Sequence, residues 1–152
     1  MNDKNNRSEE LLRQTVEAFW ESIPPFWHRI QAHIRQAAAE QFDISVEQFH
    51  ILRHIRGGHD SVSELAEAKN ISRPAISQAV DVLVNKGFIQ RMPDARDRRH
   101  VQLTLTDSGN ALLDAIFADT YQWMMQLLSP MSAEELHNLV RAMDSLKKTH
   151  PA

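Results

Sequence analysis

Cysteine is absent from the 152 residues. Disulfides, thiolate metal sites and any cysteine redox switch are thereby excluded. Glycine is scarce, with four residues, and a chain poor in glycine but rich in periodic apolar segments is expected to be mainly α. No apolar run approaches membrane-spanning length, and the polar opening "MNDKNNRSEE" carries no signal core. A Gly-rich phosphate loop, a Ser/His/Asp order, a paired-carboxylate cleft and a complete metal motif are all missing, so neither an enzyme nor a cofactor is expected. The composition suits a cytoplasmic protein of bacterial type with no membrane contact. The length fits a single domain over 1–152, which should bury roughly two-thirds of its exposable surface.

What is present is an uneven charge. The formal net charge is −3, yet residues 69–100 hold seven basic and three acidic side chains, leaving ten basic and seventeen acidic for the remainder. The densest stretch is "PDARDRRH", residues 93–100. A basic segment in an acidic chain is an electrostatic footprint that suits nucleic acid, although a charge block is more commonly a solvated face.

Periodicity supplies the frame. "SEELLRQTVEAFWE" (8–21) reads as an amphipathic helix, with Leu11, Leu12, Val16 and Phe19 on one side. Pro24 and Pro25 are expected to interrupt it, with Ser22 available to cap a restart that runs from about Phe26 to Gln41. In "ISVEQFHILRHIRGG", Ser45 and Gln48 stand at capping-box spacing and Gly57 at the expected stop. Ser61 and Glu64 have the same spacing, and Asn70 suits a left-handed turn. A further helix follows with Ser72 as N-cap, Pro74 in the first turn and Gly87 at the stop. Its Ile76, Val80 and Leu83 share one face, with Ala79 beside them, so Arg73, Ser77, Gln78 and Asp81 point away. After Gly87 the period becomes 2: "HVQLTL" places Val101, Leu103 and Leu105 on one side, and "GFIQRM" can pair with it. A long helix is expected from about Thr106 to Leu128. Pro130 ends it, and Ser132 with Glu135 caps a last helix to about Lys147.

Two short helices joined at an Asn turn and followed by a hairpin with a basic tip make a winged helix-turn-helix over 44–105. The second helix of such a unit enters the DNA major groove N-terminal end first. Ser72, Arg73, Pro74, Ser77 and Gln78 are therefore candidate DNA contacts, with Arg and Gln able to read guanine and adenine edges in bidentate fashion. Arg96, Arg98 and Arg99 at the tip suit phosphate or the narrow minor groove. Asp97 cannot bind DNA but can orient an arginine through a bidentate pair. The bland alternatives are a solvent-facing helix and a solvated loop.

These stretches resemble the MarR (multiple antibiotic resistance regulator) family of bacterial transcription factors. The likeness is carried by "ISVEQFHILRHI", "SELAEAKNISRPAISQAVDVLVNKGFIQR", "DARDRRHVQLTLTDSG" and "LLSPMSAEELHNLVRAMDSL". The wing's D-x-R falls on Asp97 and Arg99, and its L-T-x-x-G on Leu105, Thr106 and Gly109. The resemblance implies a homodimer joined through terminal helices (8–41 and 106–148). It also implies binding to pseudo-palindromic promoter double-stranded DNA, and release when a small-molecule effector arrives. The proline pair and the segment before it depart from the family pattern. The peroxide-sensing branch works through cysteine, which this chain lacks.

Two residue groups admit further readings. Glu47, His50 and His54 fall on one stripe of a helix and could hold zinc if another element supplied a fourth ligand, giving a metal-responsive regulator as the alternative function. Histidines of this kind more often lie at a core edge, and the 106–128 segment, where zinc-sensing members carry histidines, has none. Phe19, Trp20, Phe26 and Trp27 gather around the proline pair. Such aromatics are usually core or dimer interface. The other reading is an apolar effector pocket lined by Trp27, His50, His54 and Trp123. A winged helix used only for protein contacts would instead show an apolar recognition face and no arginine cluster.

Overall fold

The computed structural model describes residues 2–93 and 101–149. Six helices and one hairpin follow in the order α1 (Asn2–Phe42), α2 (Val46–Arg56), α3 (Val62–Lys69), α4 (Arg73–Asn85), β1 (Ile89–Pro93), β2 (Val101–Leu105), α5 (Asp107–Leu128) and α6 (Ala133–Thr149). The chain divides into two compact units, 1–117 and 118–152.

The first unit holds the core. Phe49, Leu52 and Ile55 on α2, Leu65 on α3, Ile76, Val80 and Leu83 on α4, and Leu112, Leu113 and Ile116 on α5 are buried in one apolar cluster. Each of the longer helices contributes residues three or four positions apart, as a single buried face requires. Ile34 and Ala38 join the cluster from the second half of α1, and Ile89 and Leu103 from the hairpin.

Local chemistry sets the boundaries. Ser45 and Gln48 form the reciprocal capping box expected at the start of α2, each side chain taking the other's backbone N–H. Ser132 and Glu135 do the same before α6. At α3 only half of the box forms: the Ser61 hydroxyl accepts from Glu64 N–H, while the Glu64 carboxylate accepts from Asp60 rather than Ser61. The helix α2 closes on Gly57 in right-handed geometry, and the left-handed residue is Gly58, at φ +102°.

One expectation fails outright. Pro24 and Pro25 lie inside α1, which runs unbroken for 41 residues, so no second N-cap forms at Ser22. Each interior proline removes one hydrogen bond and crowds the carbonyl four residues back, a cost of about 3 kcal/mol. The carbonyls deprived of donors belong to Trp20 and Glu21, both exposed, so water can take their place. The fixed proline φ is itself helical, which is why the chain can continue. The true end comes at Asp43, in the left-handed region at φ 53°. There the N–H groups of Asp43 and Ile44 donate to the carbonyls of Ala39 and Ala38.

The second unit contains the remainder of α5 and all of α6. No described residue of α6 is buried.

Candidate nucleic-acid interface

The turn between α3 and α4 is built as the sequence requires. Asn70 takes φ 52°, ψ 44°, its N–H returning to Ala66 and Glu67 carbonyls, and Ile71 N–H also reaches Ala66. Asparagine tolerates this left-handed geometry better than most side chains. Ser72 is then extended, as an N-cap should be, but its side chain makes no cap hydrogen bond. Arg73 opens the helix and Pro74 follows, its missing N–H costing nothing in a first turn where donors have no intrahelical partner. No acidic residue stands in that turn. The free N–H groups and the positive end of the helix dipole are therefore open to an anion such as a phosphate.

Ile76, Val80 and Leu83 fasten the opposite side of α4 into the core. Ser72, Arg73, Pro74 and Gln78 are exposed, and Ser77 is half-buried. Asp81 also faces outward, but its carboxylate accepts from Arg91 of β1 at 2.6 Å. That bond ties the wing strand to the flank of α4. Sequence reading missed the pair, because no local spacing rule links positions ten apart on different elements.

The strands pair antiparallel from Ile89↔Leu105 to Pro93↔Val101. Leu103 is fully buried and Leu105 half-buried. Val101, expected on the buried side, is 51% exposed, since the core under the hairpin ends before its last pair. The root of the wing is fixed by Leu103 N–H to Asp60 carbonyl (2.7 Å) and by Gln102 Nε2 to Asp60 Oδ2 (2.6 Å). The L-T-x-x-G motif acquires a physical meaning here. The Thr106 hydroxyl donates to Gly87 carbonyl and accepts from Gly109 N–H, while Thr106 N–H reaches Phe88 carbonyl. A Cβ at Gly109 would sit 2.2 Å from the Phe88 oxygen, so only glycine lets α5 start this close to the hairpin. The expected tip contacts Arg96, Asp97, Arg98 and Arg99 lie outside the described residues.

Electrostatics sharpen the picture. Three of the cations in 69–93 are engaged by carboxylates: Lys69 with Glu47 (3.1 Å), Lys86 with Asp43 (2.7 Å) and Arg91 with Asp81. Lys86 also donates to the Asp43 backbone carbonyl, and its ammonium holds the Asp43 carboxyl below the usual carboxylate range. Among the described residues, Arg73 has no such partner. Among the described residues the cations of this segment are thus largely neutralised by carboxylates, and the available charge falls to Arg73.

The four pocket candidates divide between the units. Trp27 on α1 is half exposed, and His50 and His54 on α2 are partly buried. Trp123 belongs to the second unit. Burial first, then Lys69 and Arg53, lower the His50 pKa against a raising contribution from Glu47; burial, Lys69 and His59 lower that of His54. The His54 and His59 rings meet edge to face at 5.3 Å. Glu47, the third member of the zinc stripe, pairs with Lys69. No group of three or more His, Asp or Glu side chains among the described residues is arranged to hold a metal ion. No described helix is long and apolar enough to cross a membrane.

A helix-turn-helix whose second helix is buried on one face, open at its N-terminal end and tied to a paired hairpin defines a winged-helix DNA-binding regulator rather than an enzyme. The family model for the MarR family matches residues 42–100. The chain is 30% identical over 112 residues to the HTH-type transcriptional regulator PecS of Dickeya dadantii, covering 71% of this chain and 68% of that one. It is 27% identical over 115 residues to the transcriptional repressor MdtR of Bacillus subtilis, covering 76% and 74%. Among solved structures, a point mutant of Staphylococcus aureus MepR bound to an oligodeoxyribonucleotide is similar with a TM-score of 0.67 at 25% identity, covering 86% of this chain and 96% of that one. The protein belongs to the MarR family of transcriptional regulators.

Proposed function

We propose that this regulator is a cytoplasmic, ligand-responsive repressor that binds pseudo-palindromic promoter DNA as a homodimer. In this reading Ser72, Arg73, Pro74, Ser77 and Gln78 approach base edges and nearby phosphates in the major groove. Arg96, Arg98 and Arg99 reach the flanking backbone or minor groove, and Asp97 orients Arg99. The observation that carries the reading is Arg73: an exposed guanidinium, unpaired among the described residues, at the open N-terminal end of a helix locked into the core behind it. Homodimerisation is supported by the uncovered apolar side chains Leu11, Leu12, Val16, Leu136, Val140 and Met143 on the terminal helices. Repression and DNA binding are further supported by similarity to MdtR and to DNA-bound MepR. Trp27, His50, His54 and Trp123 are the residues we assign to the effector.

Selection of bound sequences from random DNA, followed by titration against the selected and a scrambled site at fixed salt, tests this function. Arg99→Ala removes one contact per subunit worth about 1–3 kcal/mol, so a dimer loses roughly two to four orders of magnitude in affinity. Arg73→Lys keeps the charge but not the planar fork, and should relax sequence preference while sparing non-specific binding. With about five phosphate contacts per subunit, the slope of log K against log salt should lie at roughly −5 to −10. A slope near about −1, or wild-type affinity in Arg99→Ala, would overturn the assignment of this surface to DNA.

A further inference from the structure

Where the end of α2, strand β2 and the start of α5 converge lies an open pocket of about 340 Å³ within the first unit. It is lined by Arg56, Asp60, Gln102, Thr104 and Asn110, with edges of Ile55, Leu103 and Leu105 between them. The volume falls in the range of small-ligand sites. The wall contains a flaw: the Thr104 hydroxyl oxygen is buried without a hydrogen-bond partner. Such a group costs about 1–3 kcal/mol when left unmade, and each instance in a folded protein calls for an explanation.

The remaining hydrogen-bonding capacity of the wall defines what would fit. Asn110 commits one amide N–H to Thr106 carbonyl, leaving its oxygen and its second N–H. Gln102 commits one amide N–H to Asp60, again leaving its oxygen and a second N–H, and Asp60 keeps a second carboxylate oxygen. The one cation, Arg56, is neutralised by Asp114 at 2.6 Å and lies over the Phe117 ring at 5.0 Å. Among the described residues, the lining thus keeps one carboxylate, Asp60, and no cation free of a carboxylate partner. An anionic compound would meet the Asp60 carboxylate, whereas a flat cationic compound with several N–H donors would find acceptors in Asp60 and in the Asn110 and Gln102 amide oxygens.

We propose that this pocket is a second small-molecule site, taking a compact aromatic amidine, guanidine or amine, separate from the Trp27–His50–His54–Trp123 assignment. Thr104 joins the occupant by rotating about χ1, because its oxygen does not meet solvent in the present conformation. The walls include both bonds that root the wing on Asp60, so an occupant bears directly on the position of the hairpin. The site concerns binding alone and is tested without DNA, so its failure is separable from failure of the regulatory reading.

The test is an NMR titration of the full chain with benzamidine, with benzoate as the anionic control. Benzamidine should give saturable shifts at the Gly58, Leu103, Thr104 and Asn110 amides and at the Thr104 methyl, and benzoate should bind at least about tenfold more weakly. Thr104→Val keeps the shape of the side chain and removes the orphaned hydroxyl. It should leave the unfolding temperature unchanged or raised while weakening benzamidine about tenfold. Asp60→Asn should also weaken benzamidine and narrow the gap to benzoate. Absence of saturable shifts at these amides, equal binding of the two probes, or unchanged affinity in Thr104→Val would overturn the proposal.

Discussion

Helices α4 and α6 are alike in sequence character and opposite in circumstance. Both are amphipathic, with 13 and 17 residues. The α4 stripe Ile76–Val80–Leu83 is sealed into the core, whereas Leu136, Val140, Met143 and Leu146 of α6 are exposed. The first half of α1 resembles α6, with Leu12 65% exposed. An amphipathic pattern thus says that a helix has an apolar partner, but not whether the partner belongs to the same chain. In the lobe containing α4 the partner is internal. For α6 and the start of α1, a second copy of the chain is the occupant that the proposed homodimer supplies.

Truncations should separate the two circumstances most strongly. Phe49, fully buried and edge-on to Phe117 at 5.7 Å, anchors the internal core. Phe49→Ala should lower stability by about 3–5 kcal/mol in urea unfolding. Val140→Ala should change the stability of the isolated chain by less than about 0.5 kcal/mol, because its side chain is already 60% exposed. Comparable losses in dilute solution, where any dimer is dissociated, would mean that α6 is covered by its own chain, and the contrast would disappear.

Charge placed on the uncovered stripes should act on assembly instead. The double substitution Leu12→Asp, Val140→Asp should weaken dimerisation by more than about a hundredfold, since an unpaired carboxylate buried in an apolar interface costs several kcal/mol. Light scattering at micromolar concentration should report a dimer for the wild type and a monomer for the variant, with the helical circular dichroism signal of the lobe retained. A wild-type monomer would end the dimer reading.

The same contrast explains what was legible beforehand. Caps, turn residues and periodicities act within a few positions, so the elements from Ser45 to Leu105 could be outlined from the sequence, including left-handed Asn70 and the Ser45–Gln48 box. The bonds that position them could not. Asp43 with Lys86, Arg56 with Asp114, and Asp60 with both Gln102 and Leu103 join residues more than 40 positions apart, and no spacing rule marks such pairs. Local rules also misread Pro24–Pro25, because they assess a proline by its own lost bond and not by the long helix around it. Of the candidate DNA contacts, Ser72 to Gln78 could be placed because a helix fixes the direction of each side chain. The residues proposed for an effector derive from three separate helices, and spacing alone does not say whether such residues meet.

The smallest expected effect lies on the outer edge of α2, where the well-packed lobe carries a partly buried polar stripe. Burial and the positive charges of Lys69 and Arg53 lower the His50 pKa, with Glu47 opposing, and burial, Lys69 and His59 act likewise on His54. In the unfolded chain both should titrate near about 6.5. Between the folded and unfolded values the unfolded state binds more protons than the folded one, so stability must rise with pH through that window. Their contribution is complete above the unfolded value. It declines as pH falls below it, and the decline ends once the folded pKa is passed. Both rings retain solvent contact, so the total is modest. The urea midpoint should decrease when pH is lowered from about 7.5 to about 5.5, a range chosen to stay above most carboxylate titration. His50→Gln, which keeps a polar side chain at this edge without a titrating ring, should flatten the decrease, and the double variant with His54→Gln should flatten it further. If both variants retain the wild-type slope, these histidines do not charge differently in the folded and unfolded states, and the polar stripe of α2 has no part in the response of the lobe to acid.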